Sequence, residues 1–181
     1  MFLVISSSPN ANGLTAACTK AALEGIIETG GEAEHIDLCA LKIKSCMVCG
    51  NGWGTCREEH RCVRDDDCFA ELQKKIGESA GLILVTPVYW GSPSERMKSF
   101  MDRFRRCEAL KGEAGALAGK KVNLIAAAGG SGGGTLTCLS EMERWVQHVR
   151  AIPRERIGIT RFDRESVLGV IEQTAAALVR D

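Results

Sequence analysis

The sequence predicts a doubly wound α/β protein, in which five strands alternate with five helices and form a parallel sheet covered on both faces. Two observations carry the prediction. The run Leu82, Ile83, Leu84, Val85 is apolar without alternation, as a strand buried on both faces requires. Downstream, Met97, Phe100, Met101 and Phe104 recur at i, i+3, i+4 and i+7, which is one face of a helix. The segment that joins them, TPVYWGSPSERMKSFMDRF from Thr86 to Phe104, places Tyr89 and Trp90 at the carboxyl end of a strand, where open α/β sheets bind ligands. Ser92, Pro93 and Glu95 read as helix N-cap, proline at the first helical position and capping-box partner.

The remaining elements follow the same logic. Phe2 to Ile5 reads as the first strand, and roughly Gly13 to Ile27 as a helix with Leu14, Ala17, Cys18, Ala21 and Ala22 inward. Gly30 and Gly31 end that helix, and a short strand from Glu34 to Leu38 comes next. A cysteine-rich excursion at about 45–68 is loop by composition around its GNGWG center. Asp66 or Asp67 caps a helix with Phe69, Leu72 and Ile76 on one face. Val122 to Ala127 forms a strand, followed by the loop GGSGGG and a helix marked by Leu139, Met142, Val146 and Val149. Arg156 to Thr160 is the last strand, and Val167, Val170, Ile171, Thr174 and Leu178 trace the closing helix. Five strands suit the flavodoxin-like order 2-1-3-4-5 in a three-layer α/β/α sandwich, expected to form one domain over residues 1–181.

Composition narrows the function classes. Lys plus Arg and Asp plus Glu number 23 each, so no net charge draws the chain toward nucleic acid or an anionic membrane. The N-terminal apolar run is too short and lacks the basic lead of a signal peptide, and no stretch reaches membrane-spanning length. A soluble, cytoplasmic chain is the expectation. Its nine cysteines then point to metal ligation, redox chemistry or burial rather than to a disulfide framework.

In the predicted sheet three loops converge at one end. Ser6 to Thr15 brings hydroxyls and free amides to a helix start, a seat for a single phosphate, and it matches neither a Walker A loop nor a dinucleotide fingerprint. Thr86 to Ser92 adds backbone amides beside aromatic rings. Ala128 to Thr135 is glycine-rich, which permits close backbone approach to a ligand.

Three places in the chain carry a family likeness: Ser8, Pro9, Asn12, Gly13 and Thr15; the cysteine segment ending CVRDDD; and TPVYWGSPSERMKSFMDR. Through them the chain resembles the flavodoxin-like NADPH-dependent FMN reductase family, which also contains quinone reductases and iron-sulfur flavoproteins. The resemblance implies that Ser6, Ser8, Asn10, Asn12, Gly13 and Thr15, with Leu14 in the same turn, hold the FMN phosphate. It places Pro87, Val88, Tyr89, Trp90 and Gly91 along the isoalloxazine ring, and Gly129, Gly130, Ser131 and Gly132 along its far edge. Many relatives carry arginine where this chain has Asn10 and asparagine where it has Leu14. One cationic phosphate contact is therefore missing, which implies weakened FMN affinity.

Cys46, Cys49, Cys56 and Cys62 read as C-x2-C-x6-C-x5-C, with Cys68 further along. Four thiols in one loop are candidate ligands for an iron-sulfur cluster or zinc. The iron-sulfur relatives resemble a more compact C-x2-C-x2-C pattern, which GNGWGT lengthens here. Metal-free thiols, a cluster and zinc stay open at this point. His60 reads as a surface histidine, and Asp65 to Asp67 as helix capping.

The resemblance implies an FMN-dependent oxidoreductase that takes electrons from NADPH or NADH and passes them to a small acceptor such as a quinone or free flavin. An electron carrier with FMN and a cluster, and a zinc-stabilised binding module without flavin, are the alternatives. A homodimer or higher homo-oligomer is expected, with Trp53 as a candidate contact residue.

Overall fold

A computed structural model describes residues 1–41 and 43–180. Its sheet runs β2-β1-β3-β5-β6, built from β1 (Phe2–Ser6), β2 (Ala33–Asp37), β3 (Gly81–Tyr89), β5 (Lys121–Ala128) and β6 (Ile152–Thr160), all paired in parallel. This is the flavodoxin-like order expected for five parallel strands. A sixth strand, β4 (Ser92–Pro93), pairs only with the end of β3, antiparallel.

Two apolar layers sandwich the sheet. On one side α4 (Phe69–Glu78), α5 (Glu95–Glu108) and α6 (Thr135–His148) cover Leu3, Ile5, Leu82, Leu84, Leu124 and Ala126. Phe100, Phe104 and Trp145 form a triangle there, with ring centroids 5.5 to 5.8 Å apart. The Trp145 indole N–H donates to the Met101 carbonyl at 2.7 Å, so the polar edge of this ring is satisfied inside the core. On the other side α1 (Leu14–Glu28) and α7 (Arg164–Arg180) cover Val4, Ile83, Val85, Ile125 and Ile159. A Cβ on Gly25 would lie 2.1 Å from the Glu172 carbonyl oxygen, so α1 and α7 meet backbone to backbone.

The expected cap of α5 needs correction. Ser94, not Ser92, is the N-cap: its hydroxyl accepts from the Met97 N–H, and Glu95 is the first helical residue rather than a capping-box partner. Ser92 and Pro93 are drawn instead into a hairpin against Val88 and Tyr89, which leaves Trp90 and Gly91 as a two-residue turn. Both have positive φ, 51° and 78°, as a type I′ turn demands. Similarly, Cys68 occupies the N-cap position of α4, while Asp67 in the residue before it accepts from the Phe69 N–H.

The short helix α2 (Leu38–Leu41) precedes the cysteine-rich excursion, and α3 (Thr55–Glu58) lies within it. It lies along a polar stripe of α5 opposite the helix's apolar face. Arg96 donates to the Ile43 carbonyl, Ser99 bonds Ser45, Arg103 reaches Asp67, and Arg106 donates to the Gly52 carbonyl. These four residues follow helical spacing, so one face of α5 docks the whole segment. Arg103 is the center: its side chain is 1% exposed and that of Asp67 2%. The guanidinium also donates to the Lys44 and Arg64 carbonyls and to Cys62 Sγ, and it lies 4.1 Å over the Phe69 ring. Trp53, expected as an exposed contact, is half-buried against the core beneath Arg106, whose guanidinium carbon lies 5.1 Å from its ring. The acidic run does more than cap, since Asp66 also pairs with Lys44 and Arg64.

Burial pushes the Asp67 carboxyl up, but the Arg103 guanidinium and the N–H groups of Lys44 and Phe69 outweigh it and hold the group below the usual carboxylate range. Stability from this lowered value is present above the unfolded value of about 3.9 and is lost as pH falls through the folded one. Two outcomes are expected in urea titrations. Arg103→Met, which leaves Asp67 buried without its partner, lowers stability by about 3–5 kcal/mol at neutral pH. Asp67→Asn starts less stable than the parent but loses less on acidification below about pH 4.

Candidate functional site

The site lies at the carboxyl ends of β1, β3 and β5. After β1 the chain makes a self-bonded loop: the Asn10 N–H donates to Ser8 Oγ at 3.2 Å, and the Asn12 N–H to Asn10 Oδ1 at 3.0 Å. The loop delivers the chain to α1 at Gly13, in extended conformation. No side chain caps α1 and no acid lies in its first turn. Its N-terminal amides are thus left for an anion, with the helix dipole aligned to favour one. Beside it a cavity of about 310 Å³ is lined by Ser6, Ser8, Asn10, Thr15, Lys20 and His35, among others. Ser6 Oγ bonds His35 Nε2 at 2.8 Å, a contact not evident from sequence spacing. Lys20 pairs with Glu24 at 3.4 Å.

A second cavity, of about 460 Å³, opens between the β3–β4 hairpin and the glycine loop, with Val88, Trp90, Gly91 and Gly130 to Gly134 in its lining. Side chains built on Gly129 or Gly130 would point into open space, whereas Gly134 is closely constrained. A Cβ there would lie 2.7 Å from Gly91 Cα, and its φ is +84°. The two loops touch, and Thr137 clasps them by donating to the carbonyls of Gly91 and Gly134 at 2.9 and 3.0 Å. Trp90 is fully exposed and Tyr89 half out, so the hairpin presents its aromatic rings at the rim.

A buried hydroxyl network aligns the two cavities. Ser7 Oγ donates to Thr86 Oγ1 at 3.1 Å, the Ser94 N–H donates to Thr86 Oγ1 at 3.0 Å, and Ser94 Oγ contacts Ser7 Oγ at 2.8 Å. Ser7, Thr86 and Ser94 join β1, β3 and α5, yet none was picked out as a candidate site residue. Of the expected phosphate contacts, Ser6, Ser8, Asn10 and Thr15 line the first cavity, and Asn12, Gly13 and Leu14 sit at its helix end. Val88, Trp90, Gly91, Gly130, Ser131 and Gly132 line the second, with Pro87, Tyr89 and Gly129 adjoining them in the chain.

The thiols are arranged differently. Among the described residues no group of three or more His, Cys, Asp or Glu is placed to hold a metal ion. Cys56 is buried in the core, Cys62 Sγ accepts from Arg103 at 3.4 Å, and Cys46 Sγ accepts from the Val48 N–H at 3.4 Å. Cys18, Cys107 and Cys138 are buried, and burial pushes each of these thiols up to about 12, where a thiolate ligand or nucleophile is disfavoured. His60 is half-buried, and its carbonyl accepts from Gln73.

Fold and loops together resemble a flavodoxin-type mononucleotide site, with an uncapped helix start beside one cavity and a second cavity beyond it. The chain belongs to the NADPH-dependent FMN reductase family, whose model matches residues 1–159. An iron-sulfur flavoprotein of Methanocaldococcus jannaschii is 40% identical over 101 residues, covering 56% of this chain and 50% of that protein. The chain thus spans about half the length of that relative. A second iron-sulfur flavoprotein, from Archaeoglobus fulgidus, is 29% identical over 179 residues, covering 95% of this chain and 87% of the relative. The structure of an NAD(P)H:quinone oxidoreductase from Methanothermobacter marburgensis superposes with a TM-score of 0.70 at 18% identity, covering 99% of this chain and 94% of that one. That likeness shows the fold.

FMN is the cofactor of this family, and the residues fit it: uncapped helix amides for the phosphate, a glycine loop open at Gly129 and Gly130, and aromatic rings at the rim. An iron-sulfur cluster does not fit the thiols as they are placed, with Cys56 in the core and Cys62 held by a guanidinium.

Two substitutions test this construction by thermal and urea unfolding. Ser94→Ala removes both cap and network and is expected to cost about 1–2 kcal/mol. Gly134→Ala combines a left-handed backbone with contact against Gly91 and is expected to cost about 1–3 kcal/mol.

Proposed function

We propose that the chain is an FMN-dependent oxidoreductase, built as one domain, that takes electrons from a reduced nicotinamide and passes them to a small acceptor of the quinone or flavin type. The observation that carries this reading is the pairing of an uncapped helix start with a cavity between the hairpin and the glycine loop, closed where Gly91 meets Gly134. Bound FMN would supply the hydride-accepting and electron-donating chemistry.

The protein's part is binding and orientation. The α1 amides with Ser8, Asn10 and Thr15 would hold the phosphate, and helix-terminal N–H groups offset the charge that Asn10 does not provide. The hairpin amides and glycine loop would border the ring, while the exposed Trp90 leaves room for a second flat molecule to enter. No acid or base is assigned, because hydride transfer to a flavin requires none. A second copy of the chain would cover the 81% exposed Leu136 and leave the Trp90 rim open, giving a homodimer. The names of the relatives raise an iron-sulfur electron carrier as a rival, and the thiol placement argues against it.

Titration with FMN, followed by quenching of flavin fluorescence, is expected to saturate at one FMN per chain. The loaded protein should then oxidise NADPH under nitrogen when a quinone is added. Absence of FMN binding overturns the reading. Protein purified without oxygen is expected to contain neither stoichiometric iron and sulfide nor zinc, and four irons per chain would restore the electron-carrier rival.

A further inference from the structure

We infer that Arg161 and Phe162 form a clamp for the adenosine 2′-phosphate end of NADPH, an inference that rests on the oxidoreductase reading above. The pair follows β6 in a turn that is rigidly bonded. Asp163 Oδ1 accepts from the Thr160 N–H at 2.7 Å and from Thr160 Oγ1 at 2.9 Å. The Phe162 N–H donates to Thr160 Oγ1 at 3.1 Å, and Ser166 Oγ donates to the Asp163 carbonyl at 2.9 Å. These bonds fix the turn and direct the Asp163 carboxylate inward, toward Thr160.

The two side chains between are turned outward. Phe162 is 72% exposed, and the Arg161 guanidinium carbon lies 4.7 Å from its ring centroid. Among the described residues no carboxylate forms an ion pair with Arg161. The nearest charges in the chain are Asp163, engaged by Thr160, with Arg164 and Glu165 at the start of α7. Among the described residues the pair is an exposed aromatic ring carrying a cation with no ion pair. It is suited to a ligand that offers both a flat face and a multiply charged anion.

Position selects the ligand. A Cβ on Gly132 would lie 3.1 Å from Thr160 Cγ2, so the turn adjoins the glycine wall of the 460 Å³ cavity. A nicotinamide stacked over a flavin ring held in that cavity would leave the rest of its dinucleotide across the rim, on the side where Arg161 and Phe162 are exposed. The purine face stacks on Phe162, and the planar guanidinium bonds the 2′-phosphate through two N–H groups. NADH offers the stacking but lacks the phosphate.

The probes are adenosine 2′,5′-bisphosphate and 5′-AMP, titrated calorimetrically into FMN-loaded protein. The bisphosphate is expected to bind at least about tenfold tighter, as one charge-assisted bidentate contact supplies. Arg161→Ala should remove that difference, Arg161→Lys should keep part of it, and Phe162→Ala should weaken both probes. In turnover, the NADPH to NADH ratio of kcat/KM should fall about tenfold in Arg161→Ala, through KM. Equal binding of the two probes, or a bisphosphate preference that survives Arg161→Ala, overturns the clamp while FMN binding and nicotinamide oxidation stand. Protein that takes up no FMN and oxidises neither nucleotide overturns the oxidoreductase reading, and the clamp falls with it.

Discussion

Three buried hydroxyls, those of Ser7, Thr86 and Ser94, bind the loop after β1, the end of β3 and the start of α5 into one unit. Each oxygen has its partners within the protein, and in surroundings without water such a closed set resists any displacement that would leave one of them unpaired. The cavity beside α1 and the cavity beside the hairpin are built on different strands. Their mutual spacing depends on this set, because Ser7 precedes the phosphate loop and Thr86 precedes the hairpin. Ser94 adds the helix whose apolar face fills the core, so the same hydroxyls couple the site to the packing beneath it.

Much of this was readable from residue order. The unbroken apolar strand Leu82 to Val85 and the Met97 to Phe104 face stand where periodicity put them, because both signals are strong and local. The loops around Ser8, Trp90 and Gly130 also took their expected places, since the parallel topology brings alternate strand ends together. What escaped the sequence reading depends on distant partners. Ser92 followed by Pro93 imitates a cap, and only pairing of those residues with Val88 and Tyr89 shifts the helix start to Ser94. The glycine of Trp90-Gly91 was the available sign of a tight turn. Arg96, Ser99, Arg103 and Arg106 look like an ordinary solvated helix face until the excursion is seen lying on them. Trp53 looked exposed among glycines, but Arg106 covers it.

The two faces of α5 explain how the cysteine segment is held among the described residues. A loop with several left-handed residues, among them Val48, Asn51 and His60, needs external fixation. Arg103 supplies it by bonding two backbone carbonyls, one carboxylate and one sulfur at once. A guanidinium in that position also leaves Cys62 committed to a protein partner. The cost of burying that guanidinium is offset by the Asp67 carboxylate and the Phe69 ring.

The absent side chain of Gly25 has a mechanical outcome. Because α1 rests at Gly25 directly on the backbone of α7, the closing helix acts as a rigid backstop for the helix whose start carries the uncapped amides. Residues 164–180 lie beyond the family match at 1–159, yet they limit how far that tip can recoil. Trimming the chain to the matched stretch would remove the backstop and loosen the start of α1, without altering any residue of the loop that precedes it.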